Sequence, residues 1–243
     1  MKVVVLDTEE EVDAYGAQMV LSLLKQKPQA VIGYATGETP LGMYSRLIAA
    51  YQQGQVSFRD SYAFNLDEYV GLDSTHPQSF AYAMQEALFS HIDILPDHIY
   101  HLDGGSKDMD QALQNYEQQL ALHPIDLQIL GLGMDGHIAY NEPGSPLDGP
   151  CHIVDLHPAS IQSSLAYGFE RIEDVPKQGM TMGIGTIMKA KQWLMMVKGA
   201  KKAGLVKRML SGEVSSDFPA SVIVRHANAW VVLDRAAAKE WEG

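Results

Sequence analysis

The sequence predicts an α/β fold: a doubly wound, mostly parallel, Rossmann-like sheet with helices on both faces, built as one domain over residues 1–243. Three observations predict it. Short apolar runs alternate with segments of helical period along the whole chain, the pattern of strand–helix–strand crossovers. Glycine-bearing turns follow two of those runs, at Ala35-Thr-Gly-Glu-Thr-Pro40 and Gly131-Leu-Gly-Met-Asp-Gly136. No repeat, low-complexity linker or shift of composition divides the chain.

The elements follow in order. Lys2 to Leu6 forms a strand, and Thr8 with Glu11 has the capping-box spacing that starts a helix through Val12, Met19, Val20, Leu23 and Leu24. Pro28 ends that helix and Ala30-Val-Ile-Gly-Tyr34 is a buried strand. The next helix runs through Leu41, Tyr44, Leu47 and Ile48, with Thr39 at its cap and Pro40 at its first position. Ser61 to Leu66 is a strand ending in Asp67-Glu68, a helix-capping pair or half of an acid/base site. Pro77 opens a helix packed through Phe80, Met84, Leu88 and Phe89, and His91, His98 and His101 fall in solvated loops without a metal-site pattern. Met109 to Leu122 is an amphipathic helix, and Ile125 to Leu130 a buried strand.

Beyond it, residues 143–150 are rich in breakers and form an irregular loop, followed by a short strand at His152–Leu156. His157 to Pro176, with Ser160, Ser163, Ser164, Tyr167 and Gly168, is expected as a helical flap over a site. Met180-Thr-Met182 leads through Gly183-Ile-Gly-Thr186 into a short helix. Trp193–Val197 is a strand, Gly199 to Ala203 starts a helix through Leu205, Val206, Met209 and Leu210, and Trp230–Leu233 is the last strand.

Composition narrows the function. Hydrophobic residues make up 46% and charged residues 20%, ordinary for a protein with a large core. A formal charge of −12 without a basic stripe excludes a nucleic-acid partner, and it requires any anionic ligand to be held by local donors. The single cysteine, Cys151, excludes an intramolecular disulfide and fits the cytoplasm; no motif marks it as a catalytic thiol. Met1 to Asp7 is too soon charged for a signal peptide, and no run approaches the ~18 apolar residues of a membrane span, so no membrane partner is expected.

Candidate chemistry sits in the two glycine turns, because ligands of open α/β sheets bind beyond the carboxyl ends of strands. The turn after Leu130 holds Asp135, His137 and Glu142, with Asn141 beside them. Two carboxylates flanking a histidine favour its protonated form and fix its orientation, which suits acid/base work; helix capping by a polar loop is the plainer reading. The turn at Thr36, Gly37 and Thr39 offers backbone N–H groups to a phosphate or a sugar hydroxyl, or is an ordinary strand–helix turn in which Glu38 would repel an anion. Lys201 and Lys202 at a helix start oppose the helix dipole, which an anion would explain, as would simple solvation.

Thr36-Gly-Glu-Thr-Pro40, Asn65-Leu-Asp-Glu-Tyr-Val-Gly-Leu72, Gly131 to Pro143 and Val175 to Thr186 together resemble the glucosamine-6-phosphate deaminase family, in the same order and over nearly the whole chain. The continuation Ala139-Tyr-Asn-Glu-Pro143 separates it from the related 6-phosphogluconolactonases, which typically continue with Ala-Ser-Leu-Phe-Pro. The resemblance implies conversion of glucosamine 6-phosphate and water to fructose 6-phosphate and ammonia, in amino-sugar catabolism, without metal or organic cofactor. Asp67 would move a proton between C2 and C1, His137 would help open the sugar ring, and Asp135 and Glu142 would orient and charge it. Thr36, Gly37, Thr39 and Lys202 would hold the phosphate.

The chain departs from the family's pattern in three places. Ser163 to Phe169 lacks the flap arginine of many members, with Arg171 a few residues on, and Glu38 replaces a small residue. A galactosamine-6-phosphate deaminase/isomerase is therefore the alternative substrate reading. Between Asn141 and Val154 there is no Lys or Arg, where longer hexameric members hold an allosteric effector. A monomer or small homo-oligomer without activation by N-acetylglucosamine 6-phosphate is expected. A sugar-phosphate effector domain of a transcription regulator would have no need of Asp67, His137 and Glu142 together.

Overall fold

The computed structural model describes residues 1–241 apart from the side chains at 166 and 167, so the side chain of the flap residue Tyr167 lies outside what is described. Seven strands form one all-parallel sheet: β1 (Lys2–Leu6), β2 (Val31–Tyr34), β3 (Tyr62–Asn65), β5 (Ile99–Tyr100), β6 (Leu127–Leu130), β9 (Trp193–Val197) and β10 (Ala229–Asp234). Three more, β4 (Asp67–Tyr69), β7 (His152–Asp155) and β8 (Gln178–Thr181), form a small antiparallel sheet in the order β4-β8-β7. The helices are α1 (Glu9–Gln26), α2 (Leu41–Gln52), α3 (Phe80–Ala87), α4 (Met109–Leu122), α5 (Pro158–Ser163), α6 (Ile184–Ile187) and α7 (Ala203–Met209).

In the main sheet the order is β1-β10-β9-β6-β2-β3-β5. From β2 the chain steps outward to β3 and β5, then returns to the other side for β6, β9 and β10. The direction reverses between β2 and β6. Loops leaving the carboxyl ends of these two neighbours diverge and open a crevice, the usual ligand position in such sheets. Both glycine turns singled out in the sequence leave these two strands.

Local chemistry explains the elements. Thr8 closes the capping box expected of it, accepting the Glu11 N–H at 3.2 Å while the Glu11 carboxylate takes the N–H of Thr8 at 3.3 Å. β2, β6 and β9 are buried along their whole length, as parallel strands covered on both faces must be. Ile32, Ile129 and Leu194 anchor this core, and truncating one to alanine costs about 2–5 kcal/mol. No helix among the described residues is long and apolar enough to cross a membrane.

Several expectations are corrected. α2 begins at Leu41, with Pro40 in the cap position rather than the first turn, and no side chain caps it. α3 begins at Phe80, capped by Ser79 rather than opened by Pro77, because the Ser79 hydroxyl accepts the Tyr82 N–H at 3.1 Å. His98 is not in a solvated loop: its ring stacks on Tyr62 at 4.1 Å, and its Nδ1 lies 3.1 Å from the Ser61 carbonyl. The two-residue edge strand β5 puts it there. Asp67 does not end the strand before it; the chain leaves the main sheet at Leu66, and Asp67–Tyr69 pairs with β8 instead.

Candidate active site

The loop after β6 folds back on itself. Gly133 donates its N–H to the His137 carbonyl at 3.0 Å, and Gly136 donates to the Gly133 carbonyl at 3.1 Å. Gly136 makes the turn possible with a φ of 92°, where a side chain would be strained. Ala139, the single non-glycine residue of positive φ among those described, sits at 51° in the wall of the crevice, a departure typical of functional sites. Asn141 pins the loop from behind: its amide donates to the carbonyls of Ile138 at 2.9 Å and Met182 at 2.8 Å.

This fold brings the three ionisable residues of the loop together. His137 Nδ1 lies 2.7 Å from Asp135 Oδ1 and 3.6 Å from Glu142 Oε2. The backbone N–H of His137 also donates to Asp135 Oδ1, at 3.1 Å. Burial alone would lower the imidazole's pKa, but the two carboxylates outweigh it and push it up to about 9. For Asp135 burial works upward, and the hydrogen bond and charge of His137 hold it well below the usual carboxylate range. The imidazole is therefore cationic at neutral pH. These three donors lie within 4.8 Å of one another, near enough to hold a divalent cation. A metal would have to displace the proton that His137 binds so firmly, which disfavours that use.

Asp67 and Glu68, adjacent in sequence, go to different places. Alternation along β4 sends the two side chains to opposite faces. Glu68 caps α3, its carboxylate accepting N–H groups of Tyr69 at 2.8 Å and of Phe80 and Ala81 at 2.9 Å. Asp67 instead lines a chamber of about 170 Å³ with His137, Thr36, Thr39, Phe80 and Tyr140. Desolvation, reinforced by the Glu68 charge and opposed by His137, pushes the Asp67 carboxyl up to about 7. Burial pushes Glu68 up to about 7 as well, against its three N–H donors.

A wider pocket of about 810 Å³ adjoins this chamber and shares Thr36, Thr39 and Ser163 with it. Gly37, at φ 99°, Glu38 and Lys202 also line it, so the expected phosphate residues do meet. Lys202 is half-buried and donates to the Leu132 carbonyl at 2.5 Å; burial lowers its pKa, partly offset by Asp135. Lys201 is exposed and lines neither space. Arg171 stays outside too, its side chain 69% exposed and paired with Asp174 at 2.8 Å. Cys151 is buried, and burial holds its thiol far above the range of a nucleophile.

The flap is helical as expected, with α5 followed by a 3-10 turn at Ser164–Tyr167. Side-chain packing and hydrogen bonds tie it down. Tyr69 donates its hydroxyl proton to Ser164 Oγ at 2.7 Å, and Leu156, Phe169 and Val175 pack into a cluster with Tyr69, Phe80 and Tyr140. The His157 N–H also reaches Glu142 Oε1 at 3.4 Å, linking the flap to the ionisable loop. Phe80, read from the helical period as core alone, is also a wall of the chamber, and nothing in that period distinguishes the two.

The family model described as glucosamine-6-phosphate isomerases/6-phosphogluconolactonase matches residues 7–232. The chain is 40% identical over 239 residues to glucosamine-6-phosphate deaminase 1 of Bacillus subtilis, covering 98% of each protein. It superposes with a TM-score of 0.95 and 39% identity on the solved structure of a monomeric glucosamine-6-phosphate deaminase, covering 99% of this chain and 100% of the other. The 6-phosphogluconolactonase of Trypanosoma brucei shares the fold more distantly, with a TM-score of 0.77 and 23% identity over 99% of this chain and 98% of that one. The chain belongs to the glucosamine-6-phosphate isomerase/6-phosphogluconolactonase family.

Proposed function

We propose that this chain is a glucosamine-6-phosphate deaminase, converting glucosamine 6-phosphate and water to fructose 6-phosphate and ammonia, with residues 1–243 acting as one unit. One observation carries the reading. A carboxyl that ionises near neutrality, Asp67, shares a small chamber with an imidazolium held by two carboxylates. The relatives bearing the deaminase name cover nearly the whole chain.

The chemistry follows from these groups. His137 gives its proton to the ring oxygen as the C1–O bond breaks and the C1 hydroxyl releases a proton, opening the sugar. Asp135 and Glu142 hold the imidazole in place and keep it charged. Asp67 removes the proton on C2 as the proton released at ring opening returns to the C1 oxygen, giving an enolamine, and then delivers its own proton to C1, leaving a protonated imine on C2. A carboxylate serves both carbons without moving, and it works best with a pKa near the working pH. Water adds to the protonated imine, ammonia departs, and the proton freed as the ketone forms restores His137. The backbone and hydroxyls of Thr36, Gly37 and Thr39, with Lys202, hold the phosphate at the outer end. The assignment calls on no cofactor and no metal.

Ammonia release from glucosamine 6-phosphate and galactosamine 6-phosphate, measured side by side, tests the reading. Preference for the gluco sugar supports it; preference for the galacto sugar keeps the mechanism and changes the substrate; release from neither sinks it. The pH profile is a second check. Asp67 must be ionised and His137 protonated, so kcat/KM should fall below about pH 7 and again above about pH 9. A profile flat from pH 5 to 10 would contradict both assignments.

Gly133 supplies a structural test. A Cβ there would lie 2.4 Å from the His137 ring, so Gly133→Ala must displace the imidazole. A displacement of about 1 Å costs on the order of 10²-fold in rate. Normal kcat/KM in a folded Gly133→Ala variant would show that the position of His137 does not matter. We further propose that the enzyme is a monomer, as the deaminase of 39% identity is, and works in the cytoplasm. A stable hexamer in sedimentation would overturn the first of these.

A further inference from the structure

We infer that Ser160 is the residue that recognises the middle of the sugar chain, hydrogen bonding the hydroxyl on C3 or C4; this rests on the deaminase reading. Three flap serines line the inner chamber, Ser160, Ser163 and Ser164. Two have committed hydroxyls. Ser163 Oγ donates to the Ser160 carbonyl at 2.9 Å. Ser164 Oγ donates to the same carbonyl at 2.8 Å and accepts the Tyr69 hydroxyl proton at 2.7 Å. Ser160 is different: it is 3% exposed, and its Oγ has no partner among the described residues. Burying a hydroxyl without a partner is unfavourable, and a bound sugar hydroxyl would satisfy it.

Its place along the flap says which part of the substrate it meets. Ser160 lines the chamber that holds Asp67 and His137 but not the outer pocket that holds Lys202, whereas Ser163 lines both. With C1, C2 and the ring oxygen at Asp67 and His137, and the phosphate at Thr36, Thr39 and Lys202, the hydroxyls left for Ser160 are those on C3 and C4. The residue is also held firmly. Its carbonyl takes hydrogen bonds from the Ser163 and Ser164 hydroxyls and from the Ser164 N–H, and His157 caps the start of α5 by accepting the Ala159 N–H at 3.2 Å. A fixed hydroxyl that can donate and accept suits a rigid sugar hydroxyl better than a mobile one does.

The test compares Ser160→Ala with the unaltered enzyme on glucosamine 6-phosphate and on its 3-deoxy and 4-deoxy analogues, with melting temperature recorded for both proteins. The expected result is a KM for the parent sugar raised about tenfold with kcat little changed, and equal kcat/KM of the two proteins on one deoxy analogue. A loss of the same factor on all three substrates would make Ser160 a structural residue and overturn the inference. So would unchanged kinetics on the parent sugar. If the unaltered enzyme releases no ammonia from the parent sugar, the deaminase reading fails first and this inference falls with it.

Discussion

Asp67→Asn is expected to lower kcat by about 10²–10⁴-fold, leave KM within a few-fold, and raise the melting temperature at pH 8. The amide keeps the shape and much of the hydrogen bonding of the carboxylate but cannot take the C2 proton. The stability gain follows from the same burial that tunes the base. Desolvation raises the folded-state pKa of Asp67 from 3.8 to about 7. A group raised in the fold contributes its stability fully below the unfolded value and loses it as pH rises through the folded one. At pH 8 the wild-type protein therefore carries a buried charge that costs up to about 4 kcal/mol. Asparagine removes that cost, for a gain of about 5 °C or more in a chain of this size. At pH 4 Asp67 is neutral in the fold, and the gain should shrink towards zero. An inactive variant whose melting temperature shifts equally at both pH values would contradict the electrostatic origin. A variant with normal kcat would remove Asp67 from the proton transfer.

Why some of this was visible in the sequence and some was not has a physical basis. Buried parallel strands such as β6 and β9 appear as unbroken apolar runs, and α4 spans the residues its period marks. The ionisable loop was visible because its three acid and base residues lie within eight positions, so local folding alone brings them together. Contacts made at long range were not visible. β4 and β8 lie more than a hundred residues apart and pair only because the chain leaves the main sheet at Leu66. That pairing decides which of two adjacent acids enters the chamber. Lys201 and Lys202 are likewise equivalent in sequence, and only the second reaches the pocket and the Leu132 carbonyl. The three flap serines look alike in sequence and are told apart only by their burial, the space each lines and whose hydroxyl is already bonded.

His137→Gln is expected to lower kcat/KM by about 10²–10³-fold and to abolish the alkaline limb of the pH profile near 9. Glutamine can hydrogen bond in the same space but cannot deliver a proton to the ring oxygen. The enzyme then depends on the small fraction of sugar already open in solution, so the loss should appear largely as a raised KM. The alkaline limb is the sharper readout, because it belongs to His137 alone in the proposed mechanism. Stability should change in a defined window as well. The His137 pKa is raised from 6.5 to about 9. Its ion pairing with Asp135 and Glu142 therefore supports the fold fully below pH 6.5 and is lost as pH rises through 9. The variant should be less stable than the wild type at pH 6, with the difference narrowing by pH 10. If the variant keeps an alkaline limb near 9, another group supplies the proton and His137 only positions the sugar. If it keeps wild-type kcat/KM, ring opening does not need the enzyme, and the three-residue cluster exists to shape the loop.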